Sequence, residues 1–311
     1  MIRTLEVTNY VGDKMTFYMT NPYINGFAIT KMTGVAELKA NINTSEVATN
    51  DGALYNSART QTRNIVLYIA PLWTKDHTVE EARHTIQKMF PIKKKVNLHF
   101  ITDVRNVVIE GYVESSSTDI FNSKYEEAQI SILCVSPYFE DYYPQYVNFS
   151  GTDPRFEFPF GYVPLGHAPH FDNSECDLTA NTAGNIIVSE LFNDTIRDIY
   201  YKGDAENGME FSIYALQQAS NFTIYNMETG ETMGITFTMQ PQDKIVISTI
   251  RNKKSAYLIR NGIYTNILNH VSKDATWLEL HKGDNIIAYA AEEGEEYLQF
   301  SVTVRVLYEG I

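Results

Sequence analysis

At 311 residues with 44% hydrophobic content, the chain exceeds the size of one small domain and is apolar enough for real cores, which excludes general disorder. Its formal charge of −13 excludes general nucleic-acid affinity, because a phosphate binder needs Lys and Arg to displace counterions. Two cysteines, Cys134 and Cys176, exclude a disulfide framework, and the sequence has neither an apolar signal core nor a run of membrane-span length, so folding in the cytoplasm without a membrane anchor is expected.

Residues 1–58 hold short strand-like runs broken by turn formers: Phe17 to Met19 before Asn21-Pro22, and Phe27 to Ile29 after Asn25-Gly26. Asn50-Asp51-Gly52 marks the tip of a long excursion between Val35 and Arg59. Such a polar, Asn- and Thr-rich segment is either a plain surface loop or an arm reaching a neighbour. A strand then spans Ile65 to Ala70.

The stretch Val79 to Phe90 reads as the one clear helix. Thr78 and Glu81 form a capping box, and Val79, Ala82, Ile86 and Met89 recur at helical spacing. Pro91 stops the helix, and Lys93, Lys94 and Lys95 are expected at its C-terminal end, where cations meet the negative pole of the helix dipole. Val96, Leu98 and Phe100, then Val107, Ile109 and Val113, alternate as a hairpin about a turn at Asp103 to Asn106. Ala128 to Val135 closes this unit, with Cys134 as a small buried hydrophobe. A sheet with one helix covering a face is an α+β, sandwich-like arrangement.

From Tyr142 to Asp177 the composition turns to aromatics, Pro and Gly, which reads as an extended connector because each Pro restricts its predecessor. Beyond Asn181 short strands follow one another: 186–188, 211–216, 222–225, 235–239, 245–250, 256–259 and 286–290. Asn261-Gly262 signals a two-residue hairpin. A last strand is expected to run unbroken from Leu298 to Tyr308. This spacing without helices indicates an antiparallel sandwich of jelly-roll type. The expected organisation is residues 1–142, a connector at 143–180, and a sandwich at 181–311, mainly β throughout. The 21 tyrosines suit strands, and they also suit contact surfaces.

The sequence has no phosphate loop, no nucleophile elbow and no activated cysteine. His167, His170, Asp172, Glu175, Cys176 and Asp177 carry metal-ligand atoms, but they sit in a Pro-containing connector rather than on rigid converging elements, so no metal or cofactor is expected. Glu292, Glu293, Glu295 and Glu296 surround Gly294, and such packed like charges read as a solvated turn rather than an acid/base pair. Trp277 is the one candidate carbohydrate-binding residue, as a platform for a sugar ring, though a lone Trp is more often core. No catalytic residue is assigned, and no enzyme is expected.

The order of these parts resembles the distal tail proteins of long-tailed phages, the siphovirus-type tail component family. The resemblance rests on the strand at 63–70, the helix ending in Phe90-Pro91, the Ile109 to Glu114 strand and the Ile130 to Phe139 boundary. In the second half it rests on Trp277 to Ile286 and on the close into Tyr308-Glu309-Gly310-Ile311. The resemblance implies a homo-hexameric ring built by the N-terminal domain, with a galectin-like C-terminal sandwich projecting outward. The implied partners are the tail tube protein, tail-tip or tail-associated proteins and other baseplate or receptor-binding proteins. DNA would pass through the channel without specific binding. The implied location is the virion tail tip or baseplate, after assembly in the host bacterial cytoplasm. An acidic lumen that repels phosphate is expected from the net charge. Two other classes stay open: a carbohydrate-binding adhesin using the sandwich to contact the host wall, and a glycan-degrading enzyme with scattered carboxylates.

Overall fold

The computed structural model describes residues 1–36, 38–46, 51–72, 78–122, 125–154 and 189–311. The first half supplies β1 (Ile2–Asn9), β2 (Lys14–Tyr18), β3 (Phe27–Thr33), β4 (Ala40–Glu46), β5 (Ala53–Thr60) and β6 (Arg63–Pro71). Helix α1 (Val79–Met89) follows, then β7 (Lys95–Thr102), β8 (Asn106–Asn122), β9 (Tyr125–Cys134) and β10 (Phe139–Asp141). The main sheet runs β2-β1-β7-β8-β9-β6-β3, every pair antiparallel. Alternation drives it: Leu5 and Val7, Ile65, Leu67 and Ile69, and Leu98 and Phe100 are all buried on one face. The sheet curls until its edge strands meet, with Phe17 and Phe27 edge-to-face at 6.4 Å and Asn25 Nδ2 donating to the Thr16 carbonyl.

The helix begins as its capping box dictates. The Glu81 N–H donates to Thr78 Oγ1 at 3.3 Å, and the Thr78 N–H donates to Glu81 Oε2 at 2.8 Å. Its Val79, Ala82, Ile86 and Met89 face is buried against the sheet, and Arg83 fixes it further through Glu126 of β9 at 3.2 Å. The lysine run is not at the helix terminus. Only Lys88 lies in the last turn; Lys93 has a φ of +65° and bonds the Val113 carbonyl, and Lys95 opens β7 and pairs with Glu110 at 2.5 Å. Pro91 diverts the chain one turn before the cations arrive. Cys134 is buried as expected, and desolvation pushes its thiol up to about 12.

The second half contains β11 (Gln145–Asn148), β12 (Ser150–Pro154), β13 (Ser189–Asn193), β14 (Ile196–Asp198), β15 (Asn207–Gly208), β16 (Glu210–Ala215), β17 (Ala219–Asn226) and β18 (Glu231–Met239). Then come β19 (Lys244–Ser248), β20 (Ser255–Arg260), β21 (Ile263–Asn266), β22 (Glu279–Leu280), β23 (Ile286–Glu293), β24 (Leu298–Val304) and β25 (Leu307–Tyr308). A six-stranded sheet, β11-β24-β16-β19-β20-β21, and a four-stranded sheet, β14-β23-β17-β18, enclose a second core. Phe300 of the larger sheet stacks on Tyr289 of the smaller at 4.6 Å and meets Phe149 at 4.9 Å. The Asn261-Gly262 turn has φ of +51° and +78°, as a type I′ hairpin requires. The strand expected at 186–188 and most of the connector lie outside the described residues.

The last strand does not run unbroken to Tyr308. β24 ends at Val304, and after Arg305 and Val306 the chain enters the first sheet, where β25 pairs with β10 (Phe139 with Tyr308, Glu140 with Leu307). Apolar alternation continues across the break because each side buries its own residues, so the change of sheet leaves no mark in the pattern. Arg63 secures the return. Its side chain is 4% exposed, and Nε donates to the Pro137 carbonyl at 2.7 Å. Nη1 donates to the carbonyls of Gly34 and Val35 at 2.9 and 3.0 Å, and Nη2 to that of Glu309. Its plane lies over the Phe139 ring, 4.6 Å from the centroid.

Arg63→Met should therefore lower stability by about 3 kcal/mol, because four carbonyls lose a charged donor. In urea unfolding, the two halves should also separate into distinct transitions. A second expectation concerns pH. Asp243 is 1% exposed, and the Arg260 guanidinium, bonded to it at 2.7 and 2.5 Å, holds its carboxyl below the usual carboxylate range. A depressed folded value gives stability that is present above about pH 4, the unfolded value, and is lost as pH falls through the folded one. Asp243→Asn should be less stable than the parent at pH 7, with the gap closing as acid unfolding is followed below pH 4.

Candidate assembly surfaces

Around Arg63 the two halves meet through side chains from both. Tyr201 is fully buried; its hydroxyl donates to the Ala205 carbonyl at 2.8 Å and accepts from the Leu307 N–H at 3.1 Å. That burial pushes the phenol up to about 12, so it stays a donor at any physiological pH. Arg105 of the first half donates to the Gly310 carbonyl at 2.6 Å and lies over the Tyr308 ring at 4.2 Å. Asn207 Nδ2 donates to the Arg305 carbonyl at 2.7 Å. A shallow cavity of about 430 Å³ opens beside this junction, lined by Arg105, Asn106, Asp141, Tyr143, Lys202 and Tyr308. Its cations already have partners, Arg105 as described and Lys202 with Asp141 at 3.9 Å. It lies along the seam between the sheets.

The excursion between Val35 and Arg59 folds as a two-stranded antiparallel hairpin of β4 and β5. Every residue of both strands is exposed, including Ile42 at 62%, Leu54 at 61% and Tyr55 at 67%. Its root is tied to the body: the Gln61 N–H donates to the Lys39 carbonyl at 2.8 Å, and the Thr60 and Tyr138 hydroxyls lie 3.1 Å apart. A two-stranded ribbon with both faces in water is marginal by itself. Its apolar residues meet no burying surface among the described residues.

The other candidate residues scatter. Trp277 is half-buried against the second core, with Lys254 Nζ 5.3 Å from its ring centre, beside the Arg251–Glu279 ion pair at 2.5 Å. The acidic turn at Gly294 is solvated as expected. Glu292 accepts from Asn221, Glu293 from Ser220, and Glu295 from the Ala291 N–H, so their carboxylates are held by separate partners. Among the described residues no group of three His, Cys, Asp or Glu is arranged to hold a metal. The cluster from His167 to Asp177 lies outside them. Arg63 was missed by sequence reasoning. Its acceptors are backbone carbonyls up to 246 positions away, and no side-chain motif records them.

Residues 202–305 match the family model described as the siphovirus-type tail component, C-terminal domain. No match is found among curated proteins. The fold is similar to a structure described as the SPP1 Dit (gp 19.1) protein, "a Paradigm of Hub Adsorption Apparatus in Gram-positive Infecting Phages". The TM-score is 0.62 at 7% identity, covering 97% of this chain and 98% of that one. It is also similar to a chain of the phage P2 baseplate in its activated conformation with Ca, with a TM-score of 0.51 and 12% identity over the whole of both chains. Residues 202–305 are thus similar to the C-terminal domain of the siphovirus-type tail component, and the fold over 97% of the chain is similar to that of the SPP1 Dit protein.

Proposed function

We propose that this chain is a structural hub of a phage tail tip, closing with copies of itself into a hexameric ring between the tail tube protein and the tail-tip or baseplate proteins. The observation that carries the reading is the likeness of fold along the entire chain to hub and baseplate chains, joined to the family match at residues 202–305. Residues 1–142, joined by the returning β25, would build the ring around a DNA channel, and the sandwich that ends at Val304, which β11 of the expected connector joins, would project outward toward other baseplate components. The protein would work in the virion, after assembly in the host cytoplasm, as a part and not as an enzyme.

The exposed hairpin of β4 and β5 supports ring closure. Each copy offers an arm whose Ile42, Leu54 and Tyr55 need a foreign surface, and head-to-tail contacts repeated about a rotation axis close a ring. The charge distribution bears on the channel. Residues 1–142 hold 16 Asp and Glu against 14 Lys and Arg, a net of −2, while residues 143–311 hold 22 against 11, a net of −11. Most of the acidity therefore lies in the outward half. A DNA-repelling lumen would depend on where a few carboxylates of the first half point, not on the net charge.

Native mass measurement over a range of concentrations, with and without tail tube protein, tests the reading, and a hexamer is the expected species. Ile42→Glu with Tyr55→Glu should shift the population to monomer while leaving the unfolding free energy within about 0.5 kcal/mol of the parent at dilutions where both are monomeric, because both side chains are solvent-exposed within one chain. A parent that stays monomeric throughout would overturn the ring.

A further inference from the structure

The sequence contains three Asn-Gly pairs: Asn25-Gly26, Asn207-Gly208 and Asn261-Gly262. In such a pair the glycine nitrogen can reach the Asn side-chain carbonyl, because the glycine carries no side chain to stand in the way. The fold treats the three differently. Asn25 donates from Nδ2 to the Thr16 carbonyl and accepts from the Phe27 N–H at 3.4 Å, and the Gly26 N–H donates to the Pro22 carbonyl at 3.0 Å. Asn207 is 6% exposed, and its Nδ2 donates to the Arg305 carbonyl at 2.7 Å. The Thr249 backbone lies against buried Gly208 too closely to admit a side chain there. Asn261 and Gly262, by contrast, are exposed at the tip of the β20–β21 hairpin. Among the described residues no hydrogen bond engages the Asn261 side chain or the Gly262 N–H. Nothing stands within 4 Å of where a side chain on Gly262 would begin.

We infer that Asn261 is a site of spontaneous deamidation, and that the fold shields the other two pairs. The Gly262 nitrogen gives up its proton and bonds to Asn261 Cγ. The side-chain nitrogen takes that proton and leaves as ammonia, so a cyclic imide remains. Water then adds to either imide carbonyl and breaks its bond to the nitrogen. The product is Asp, or isoaspartate when the chain is rerouted through the side chain. Water is the only co-reactant. Either product places a new carboxylate next to Arg260, whose guanidinium already holds buried Asp243. Isoaspartate also adds a backbone carbon to a two-residue turn, and the register of Arg260 with Ile263 has no place for it. β21 is an edge strand paired with β20 alone, and all its residues are exposed, so its hold on the sheet depends on that turn. Conversion of Asn261 therefore loosens β21. The inference does not rest on the hexameric ring.

Peptide mapping by mass spectrometry of the full-length protein, aged at mildly alkaline pH, tests it, with the urea-unfolded chain aged alongside as a clock. In urea the three pairs should convert at similar rates, since only the fold separates them. By the time half of the unfolded chain has converted, acid should replace amide in the folded protein at Asn261 about ten-fold or more faster than at Asn25 or Asn207. That factor is set by the need to open one or two hydrogen bonds first. Asn261→Gly keeps a turn that tolerates positive φ and removes the reacting amide. After ageing, hydrogen exchange over Ile263–Asn266 should quicken in the parent and stay unchanged in Asn261→Gly. An Asn261 that stays an amide in the folded protein, or an Asn25 or Asn207 that converts as fast, would overturn the site. Equal exchange in the two aged proteins would overturn the effect on β21.

Discussion

Arg63 sits at the first residue of β6, but the groups it holds come from the loop at Gly34 and Val35, the turn at Pro137 and the last residues of the chain at Glu309. A guanidinium taken out of water must have its N–H groups met, and here carbonyl oxygens and the face of Phe139 meet them in place of a carboxylate partner. Burial lowers its pKa from the usual value, with the nearby Glu309 acting the other way. One charged group thus makes the entry to the first sheet, the exit toward the second and the chain's end mutually dependent. Tyr201 and Arg105 extend the same closure to the loop at residues 201–205 and to Tyr308 and Gly310.

This closure gives a physical sense to where the family match stops. The C-terminal domain model ends at residue 305, and the chain leaves the second sheet after Val304. The residues that follow belong structurally to the first half, through β25 on β10. The two halves are joined by one strand leaving and another returning, so neither can swing freely without breaking a short stretch of sheet.

The exposed surfaces differ in chemistry between the halves. The hairpin of β4 and β5 presents aliphatic and aromatic side chains from a nearly charge-balanced half, which favours burial against a protein surface. The outer face of the six-stranded sheet presents tyrosines among hydroxyls from an acidic half. Acidity itself is spread over turns and edges, as at Glu292 to Glu296, where separate neighbours hold the carboxylates.

What the sequence determined by itself was local. The helix from Val79, its capping box and its apolar face follow from interactions within four residues, and the Asn261-Gly262 turn follows from backbone preference. The mainly β character, the hairpin after Thr102 and the burial of Cys134 were legible from alternation for the same reason. Tertiary structure alone decided which sheet each strand joins. The run from Leu298 to Tyr308 alternates without a break, yet it serves two sheets, because alternation reports burial and not the identity of the neighbour. The lysines after Pro91 were misplaced by a local rule that the diverted chain overrode. The role of Arg63 comes from residues far apart in sequence, brought together by backbone carbonyls. Side-chain patterns along the chain carry no trace of it.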